Sequence, residues 1–465
     1  MLQFGHGRAC NREAKRQTRH MFRKVSHRIA SLSLAGLVAA MPVSAADLPA
    51  PLTEADFIAF DDAQARLGQL LFYDKILSGN RNISCGTCHH HDFGGTDGLS
   101  LGIGEGGIGV GPERRPGEGD DRVRKRIPRN APALWNLAHE DIRVLFHDGR
   151  LEVSDLYGNG FDTPAQEWLP PGLETALAAQ ALFPMTAQFE MAGNVGENEV
   201  AGAVNDRIDA AWPIIAKRVR TIPAYGEMFV AAFPHIDSPE QVGIVEIANA
   251  LAAFMGTEWR NFDSPVDAYL AGDTGALTEP QRRGMELFYG DAGCSACHAG
   301  PLLSDQQFHA LALPQFGPGR TRAHDPYVRD VGRVGKSNRL EDSYRFRTPM
   351  LRNVTLTAPY GHNGAFPTLE GIVRHHIAPR ESLVRWTPDM AHLPDIPWLA
   401  PVDFLVQDDP IERRRHAAVL DLAPQARTEA EIADLVAFLG ALEGVTAKTR
   451  PLGRPETVPS GLPVD

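Results

Sequence analysis

Cysteine, long apolar runs and strand-forming segments are all scarce in this chain, and each shortage excludes something. Only five of the 465 residues are cysteine. Cys10 lies in a basic leader, and the other four form two copies of one pattern, Cys85-Gly-Thr-Cys88-His89 and Cys294-Ser-Ala-Cys297-His298. With both patterns used as written, no cysteine remains for a disulfide, so a disulfide-stapled scaffold is excluded. No stretch after the leader approaches the roughly 18 apolar residues a membrane helix needs, so no membrane partner is expected. Basic charge is also short. The chain carries a net −12; residues 1–45 hold eight Lys/Arg against one acid, Glu13, so the remainder carries −19. Such an acidic body disfavours nucleic acid and would attract a basic partner at low salt.

What is present is an ordinary globular composition, 43% hydrophobic, with 44 Gly and 35 Pro that call for many turns and long loops. The basic leader runs into a short apolar stretch, Ile29–Ala39, and then Val43-Ser44-Ala45. A charged start, a short apolar core and small residues before the cut read as a secretory signal peptide cleaved after Ala45, which places the mature chain in the periplasm.

Two thiols three residues apart can add to the two vinyl groups of one haem, and the adjacent His then falls under the iron. A Cys₄ zinc site would not need a His after each pair. A redox Cys-x-x-Cys would not be expected twice with that same His. Two covalently bound haem c groups are therefore expected, on Cys85, Cys88 and His89 and on Cys294, Cys297 and His298.

The approaches to the two motifs match. Leu67-Gly-Gln-Leu-Leu-Phe-Tyr-Asp precedes the first and Arg283-Gly-Met-Glu-Leu-Phe-Tyr-Gly precedes the second. Each has apolar residues at helical spacing, which reads as an internal duplication. Further helices are expected over Leu173–Gln180, Glu199–Arg220, Pro239–Trp259 and Glu429–Leu442. The expected fold is mainly α, two cytochrome c-like haem domains with long loops. The N-terminal domain spans 46–265 and the C-terminal one 266–450, divided near Phe262–Thr278, where Asp, Pro, Gly and Thr accumulate. The charged run Glu113 to Arg126, at the end of a Gly-rich segment, reads as a solvated loop. The Pro-rich tail, 451–465, reads as unstructured.

Three stretches in order resemble the bacterial dihaem cytochrome c peroxidases and their relative MauG. The first is Leu67-Gly-Gln-Leu-Leu-Phe-Tyr-Asp through Ile83-Ser-Cys-Gly-Thr-Cys-His, and the second Gly293-Cys-Ser-Ala-Cys-His-Ala-Gly-Pro-Leu-Leu-Ser-Asp. The third runs from Phe346-Arg-Thr-Pro-Met-Leu-Arg-Asn-Val to Ala358-Pro-Tyr-Gly-His-Asn-Gly-Ala-Phe-Pro-Thr-Leu-Glu. The likeness spans about Leu67 to Leu442. It implies an N-terminal haem that meets hydrogen peroxide and a C-terminal haem that stores or relays electrons. It also implies that Gln180 and Glu190 are catalytic, with Pro184 a pocket proline. Cleaving the peroxide O–O bond needs a group that takes a proton from the near oxygen and gives one to the leaving oxygen, and a carboxylate in a partly apolar cavity can do both. Asn130 matches a family residue that binds calcium together with carbonyls near Arg347–Pro349; otherwise it is a loop Asn in a turn.

Three departures from the peroxidase pattern narrow the function. No His occurs between His91 and His139, so the Gly-rich loop cannot supply the distal His of the resting peroxidases, and the first haem is expected to stay open, as in MauG. At the position of the second haem's other axial ligand stands His376, where peroxidases have Met and MauG has Tyr; His375, Met390 and His392 are the alternatives. Bis-His ligation would lower the potential relative to His/Met. Finally, His147, in Phe146-His147-Asp148-Gly149-Arg150, replaces the family's inter-haem Trp, and Trp135 is a sequence-near substitute. The reading is a peroxide-dependent oxidoreductase. Its electrons come from a small donor protein (a cytochrome c or cupredoxin) or from an aromatic side chain of a protein substrate. The rivals are a non-catalytic dihaem electron-transfer cytochrome and an O₂-using oxygenase.

Overall fold

The computed structural model describes residues 48–119, 122–321 and 328–465; the leader and the cleavage site after Ala45 lie outside the described residues. In the helix Asp62–Tyr73, Ala65, Leu67, Gly68, Leu71, Phe72 and Tyr73 are buried along one face. Asp61 caps its first turn, accepting from the amides of Ala63 and Gln64 at 2.8 and 3.1 Å. That face packs on the helix Ile244–Glu258, which is buried almost all round. The second half repeats the pair, with Glu279–Tyr289 against Glu429–Gly440.

Both crossings require glycine at the same register. A Cβ on Gly68 would lie 1.8 Å from the carbonyl oxygen of Ala250, and one on Gly284 would lie 1.9 Å from that of Asp434. Only a residue without a side chain lets the backbones approach so closely. The aromatics that follow pack alike. Phe72 and Tyr73 lie 5.1 and 6.3 Å from Phe254, and Phe288 and Tyr289 lie 5.0 and 6.2 Å from Phe438. The repeat seen in the sequence is thus a repeat of packing. The first pair centres a large hydrophobic core drawn mostly from residues 52–259. The second centres another drawn mostly from residues 266–442. The remaining regular structure is short helices and antiparallel pairings of two or three residues, such as Phe308–His309 with Phe346–Arg347. The chain is mainly helical.

Local chemistry broke two of the expected helices. Glu199–Arg220 divides at Arg207, which is extended at φ −161°, and resumes as Trp212–Arg220 with Pro213 in its first turn. A proline lacks the N–H that an uninterrupted helix would use there. Pro239–Gln241 is a separate 3₁₀ turn, and the long helix starts only at Ile244.

Two loop expectations are corrected. In the charged run, Glu113, Arg115, Glu118, Arg122 and Arg124 are exposed, but Arg114 and Arg126 are buried. Arg114 donates to the carbonyls of Ile103 and Gly104 at 2.6 and 2.8 Å and to that of Gly109. Arg126 forms a two-pronged pair with Asp403, both bonds at 2.8 Å. The segment is a strap: Leu101 enters the second core, and Ile103 and Val123 pack with Ile396. The 451–465 tail is irregular but docked. The amides of Leu452 and Gly453 donate to Glu258 at 2.8 and 2.9 Å, Ser460 Oγ donates to Asp74 at 2.7 Å, and Val458 is buried. Carboxylates on the first core, not regular secondary structure, hold it in place.

Candidate active site

Cys85–Cys88 is a single helical turn, entered through Ser84 and closed by His89. None of the four motif cysteines is paired in a disulfide. His89 Nδ1 lies 2.9 Å from the carbonyl oxygen of Gly95. A carbonyl only accepts, so Nδ1 carries the hydrogen and Nε2 keeps its lone pair for a metal. His298 repeats the arrangement with Leu303 O at 3.0 Å, and His376 with Ile372 O at 2.8 Å.

A cavity runs from Cys85, Cys88 and His89 to Gln180, Pro184 and Glu190. Gln180 sits on the helix Ala176–Ala181, Pro184 on the following 3₁₀ turn, and Glu190 on a five-residue π turn, Gln188–Ala192. The sequence spacing therefore brings all three to one wall. Burial raises the pKa of the Glu190 carboxyl, and the Arg150 and Arg320 cations oppose the rise. The only other histidine among the described lining residues is His147, and its Nε2 donates to Asn130 O at 3.1 Å. Burial and the neighbouring Arg129 push its pKa down to about 4, so it is neutral at pH 7. The Gly-rich strap contributes Asp97, Gly102 and Gly104 to this wall, and no histidine.

A second cavity is lined by Cys294, Cys297, His298 and His376, with Trp135, Tyr344 and His416 around them. The rings of His298 and His376 stand 6.4 Å apart at 54°. With both Nε2 atoms free, that gap fits one metal ion held at the roughly 2 Å usual for imidazole. His375 points elsewhere: its Nε2 donates to Leu311 O at 2.7 Å and its Nδ1 meets Ser382 at 3.2 Å. Met390 and His392 do not line the cavity.

His147, Asn130 and Arg347 line both cavities. Arg347 donates to the carbonyls of Phe146 and Thr348, and no carboxylate among the described residues pairs with it. Desolvation pushes its pKa down to about 10. An unpaired cation facing two cavities, each with two thiols and a free imidazole, suits an acidic, thiol-linked macrocycle. Asn130 spends its side-chain NH₂ on Leu99 O at 2.7 Å, and Thr348 O is held by Ser304 Oγ at 2.7 Å. What Asn130 leaves for a cation is a single side-chain oxygen. Sequence reasoning overlooked Arg320 and did not weigh Arg150. Arg150 closes the motif that begins at Phe146, and its guanidinium lies 3.6 Å over that ring.

A family model described as di-haem cytochrome c peroxidase matches residues 62–275. The methylamine utilization protein MauG of Methylorubrum extorquens is 29% identical over 312 residues, 67% of this chain and 67% of that protein. A cytochrome-c peroxidase of Denitromonas iodatirespirans is 30% identical over 332 residues, covering 67% of this chain and 72% of its own length. Among solved structures, a MauG-like protein associated with microbial copper homeostasis superposes with a TM-score of 0.55 at 26% identity. That match covers 88% of this chain and 97% of the other.

Proposed function

This chain belongs to the dihaem cytochrome c peroxidase family that includes MauG, and from that premise we propose a periplasmic enzyme that uses hydrogen peroxide to oxidise a partner protein. The family makes it an oxidoreductase with two c-type haems. The observation that carries the finer reading is the first cavity. Gln180 and Glu190 face it, and no described lining histidine other than His89 is free, since His147 is committed to Asn130 O.

A haem bound by Cys85, Cys88 and His89 would supply the iron at which peroxide is polarised. Glu190 is placed to take a proton from the near oxygen of peroxide and return it to the leaving oxygen. Arg150 and Arg320 favour its ionised form against the effect of burial, and the ionised form is the one a base requires. Gln180, on the same wall, orients the peroxide through its amide. At the second cavity His298 and His376 would complete a bis-His site, and two neutral nitrogen ligands lower the potential relative to His/Met. A low potential suits an oxidised second centre and disfavours electron delivery from a high-potential cytochrome c or cupredoxin. It therefore favours an aromatic side chain of a protein substrate as the electron source.

The test is rapid mixing of the fully ferric, haem-loaded protein with one equivalent of hydrogen peroxide, followed optically. Immediate loss of the high-spin ferric signal is expected. No reaction until one haem is reduced would indicate an activation-gated peroxidase. A wholly low-spin spectrum, inert to peroxide, would indicate an electron-transfer cytochrome.

A further inference from the structure

We propose that Tyr73 is a redox-active tyrosine, which gives one electron to the first haem centre after peroxide has oxidised it and passes its phenolic proton to His91. The inference rests on the peroxide reading of the first cavity.

Tyr73 ends the first-half helix with no exposed surface. Its ring lies directly against the haem-binding turn: a Cβ on Gly86, between Cys85 and Cys88, would stand 2.3 Å from it. The phenol is thus beside the segment that would be bonded to the macrocycle. Its hydroxyl is hydrogen-bonded to His91 Nδ1. On the far side of that ring, His91 Nε2 lies 2.5 Å from a carboxylate oxygen of Glu258. Glu258 is buried and also accepts the amides of Leu452 and Gly453 at 2.8 and 2.9 Å. A carboxylate only accepts, so Nε2 carries the His91 hydrogen, Nδ1 is left as the acceptor, and Tyr73 must be the donor. Burial and the Glu258 charge raise the pKa of the phenol, so it is protonated at rest.

The step balances. One electron leaves Tyr73 and reduces the peroxide-oxidised centre by one equivalent, and the O–H proton crosses to His91 Nδ1. Tyr73 becomes a neutral phenoxyl radical, and His91 becomes an imidazolium facing the Glu258 carboxylate. When a reductant refills Tyr73, the proton returns along the same bond.

Two tryptophans stand close enough to compete, and their surroundings disfavour both. Trp259 lies 5.3 Å from the His91 ring, and Trp135 lines the second cavity. The Arg450 guanidinium lies 5.1 Å from the Trp135 ring and 5.6 Å from that of Trp259. Neither buried indole N–H has an acceptor among the described residues. An electron lost from either would leave a cation beside a cation, with no base for its proton. Of the three, only Tyr73 has a base aligned with its proton and a counter-charge behind that base.

Freeze-quench EPR of the ferric holoprotein mixed with one equivalent of peroxide tests this. A tyrosyl signal is expected, narrowed when ring-deuterated tyrosine is incorporated. The radical should fall about tenfold or more in Tyr73→Phe, and should form roughly a hundredfold more slowly in His91→Gln, the usual loss on removing a positioned base. Glu258→Gln leaves the phenol and imidazole in place and should also lower the yield; an unchanged haem spectrum shows that each variant is folded. A tyrosyl signal that survives Tyr73→Phe, or a tryptophan radical instead, overturns the assignment. If peroxide leaves the ferric spectrum unaltered, the proposed function fails, and flash-quench oxidation with a ruthenium photo-oxidant decides Tyr73 independently. A tyrosyl signal lost in Tyr73→Phe then supports the assignment, and no tyrosyl signal overturns it.

Discussion

Burial raises the proton affinity of Glu190 while Arg150 and Arg320 lower it, so its pKa is a balance that one substitution can tip. Arg150→Leu removes the larger opposing charge, and the carboxyl pKa climbs further. A base must be ionised to act, so the rate falls as pH drops through that pKa. Raising the pKa moves the acid limb of the pH–rate profile to higher pH. Stopped-flow measurement of the ferric protein with peroxide should show this shift, whereas Glu190→Gln should cost about 10²- to 10⁴-fold in rate across the profile. A profile that stays put in Arg150→Leu would remove Arg150 from this role. At this scale the sequence was informative where residues lie close together. Gln180, Pro184 and Glu190 lie in one short stretch and were named by its resemblance to the family; Arg320, 130 positions from Glu190, was not.

The strap between Gly94 and Arg129 shows why an element can mislead a reader of sequence. Its charges alternate with glycines and prolines, as in a solvated loop, yet Arg114 is buried on carbonyls of the same segment and Arg126 on a distant carboxylate. Arg126 and Asp403 are both nearly inaccessible and meet in two bonds of 2.8 Å. Removing one partner of such a buried pair strands the other, at a cost of about 3–5 kcal/mol. Arg126→Ala should therefore lower the thermal midpoint clearly, and Arg126→Ala/Asp403→Ala should lower it less than the two single effects summed. Additive losses would mean that the pair is not coupled. The tail teaches the same lesson. Four prolines and little apolar content predicted disorder, but Glu258 and Asp74 on the first core supply acceptors that no local pattern reveals.

Across the whole molecule, buried ion pairs join the halves. Arg129 on the strap meets Asp148 at 2.7 Å and Asp330 at 2.8 Å, one acid from each half. Arg129 holds the pKa of both carboxyls low although burial raises it. Several histidines are buried in neutral form; among them are His416, chiefly by desolvation, and His147, by desolvation with Arg129 behind it, each of these two pushed down to about 4. The signs order the pH dependence. A histidine whose folded pKa is depressed binds its proton first in the unfolded state, so stability falls as pH drops from about 6.5, its free value, towards 4. The paired carboxylates contribute fully above about 3.9 and lose that contribution only below it. Denaturation midpoints of the holoprotein should thus begin to fall near pH 6.5. Each such histidine adds a limiting slope of about 1.4 kcal/mol per pH unit. His416→Gln should flatten the slope between pH 6 and 4.5; an unchanged slope would mean that His416 takes up its proton without unfolding.

The sequence by itself determined whatever depends on neighbours within a few residues. Two thiols and an imidazole fall on one turn, and apolar residues recur at helical steps. Glycine stands at Gly68 and again at Gly284, where matched helices cross. Backbone geometry fixes these relations before any long-range contact forms. Tertiary structure decided the rest. His375 and His376 are both His on one helix, but about 100° of rotation per residue turns one to Leu311 and the other towards His298. Arg126 finds Asp403 277 positions away, and His91 finds Glu258 167 positions away. Such pairings exist only once the two helix pairs have packed, because it is packing, not spacing, that brings those side chains within reach.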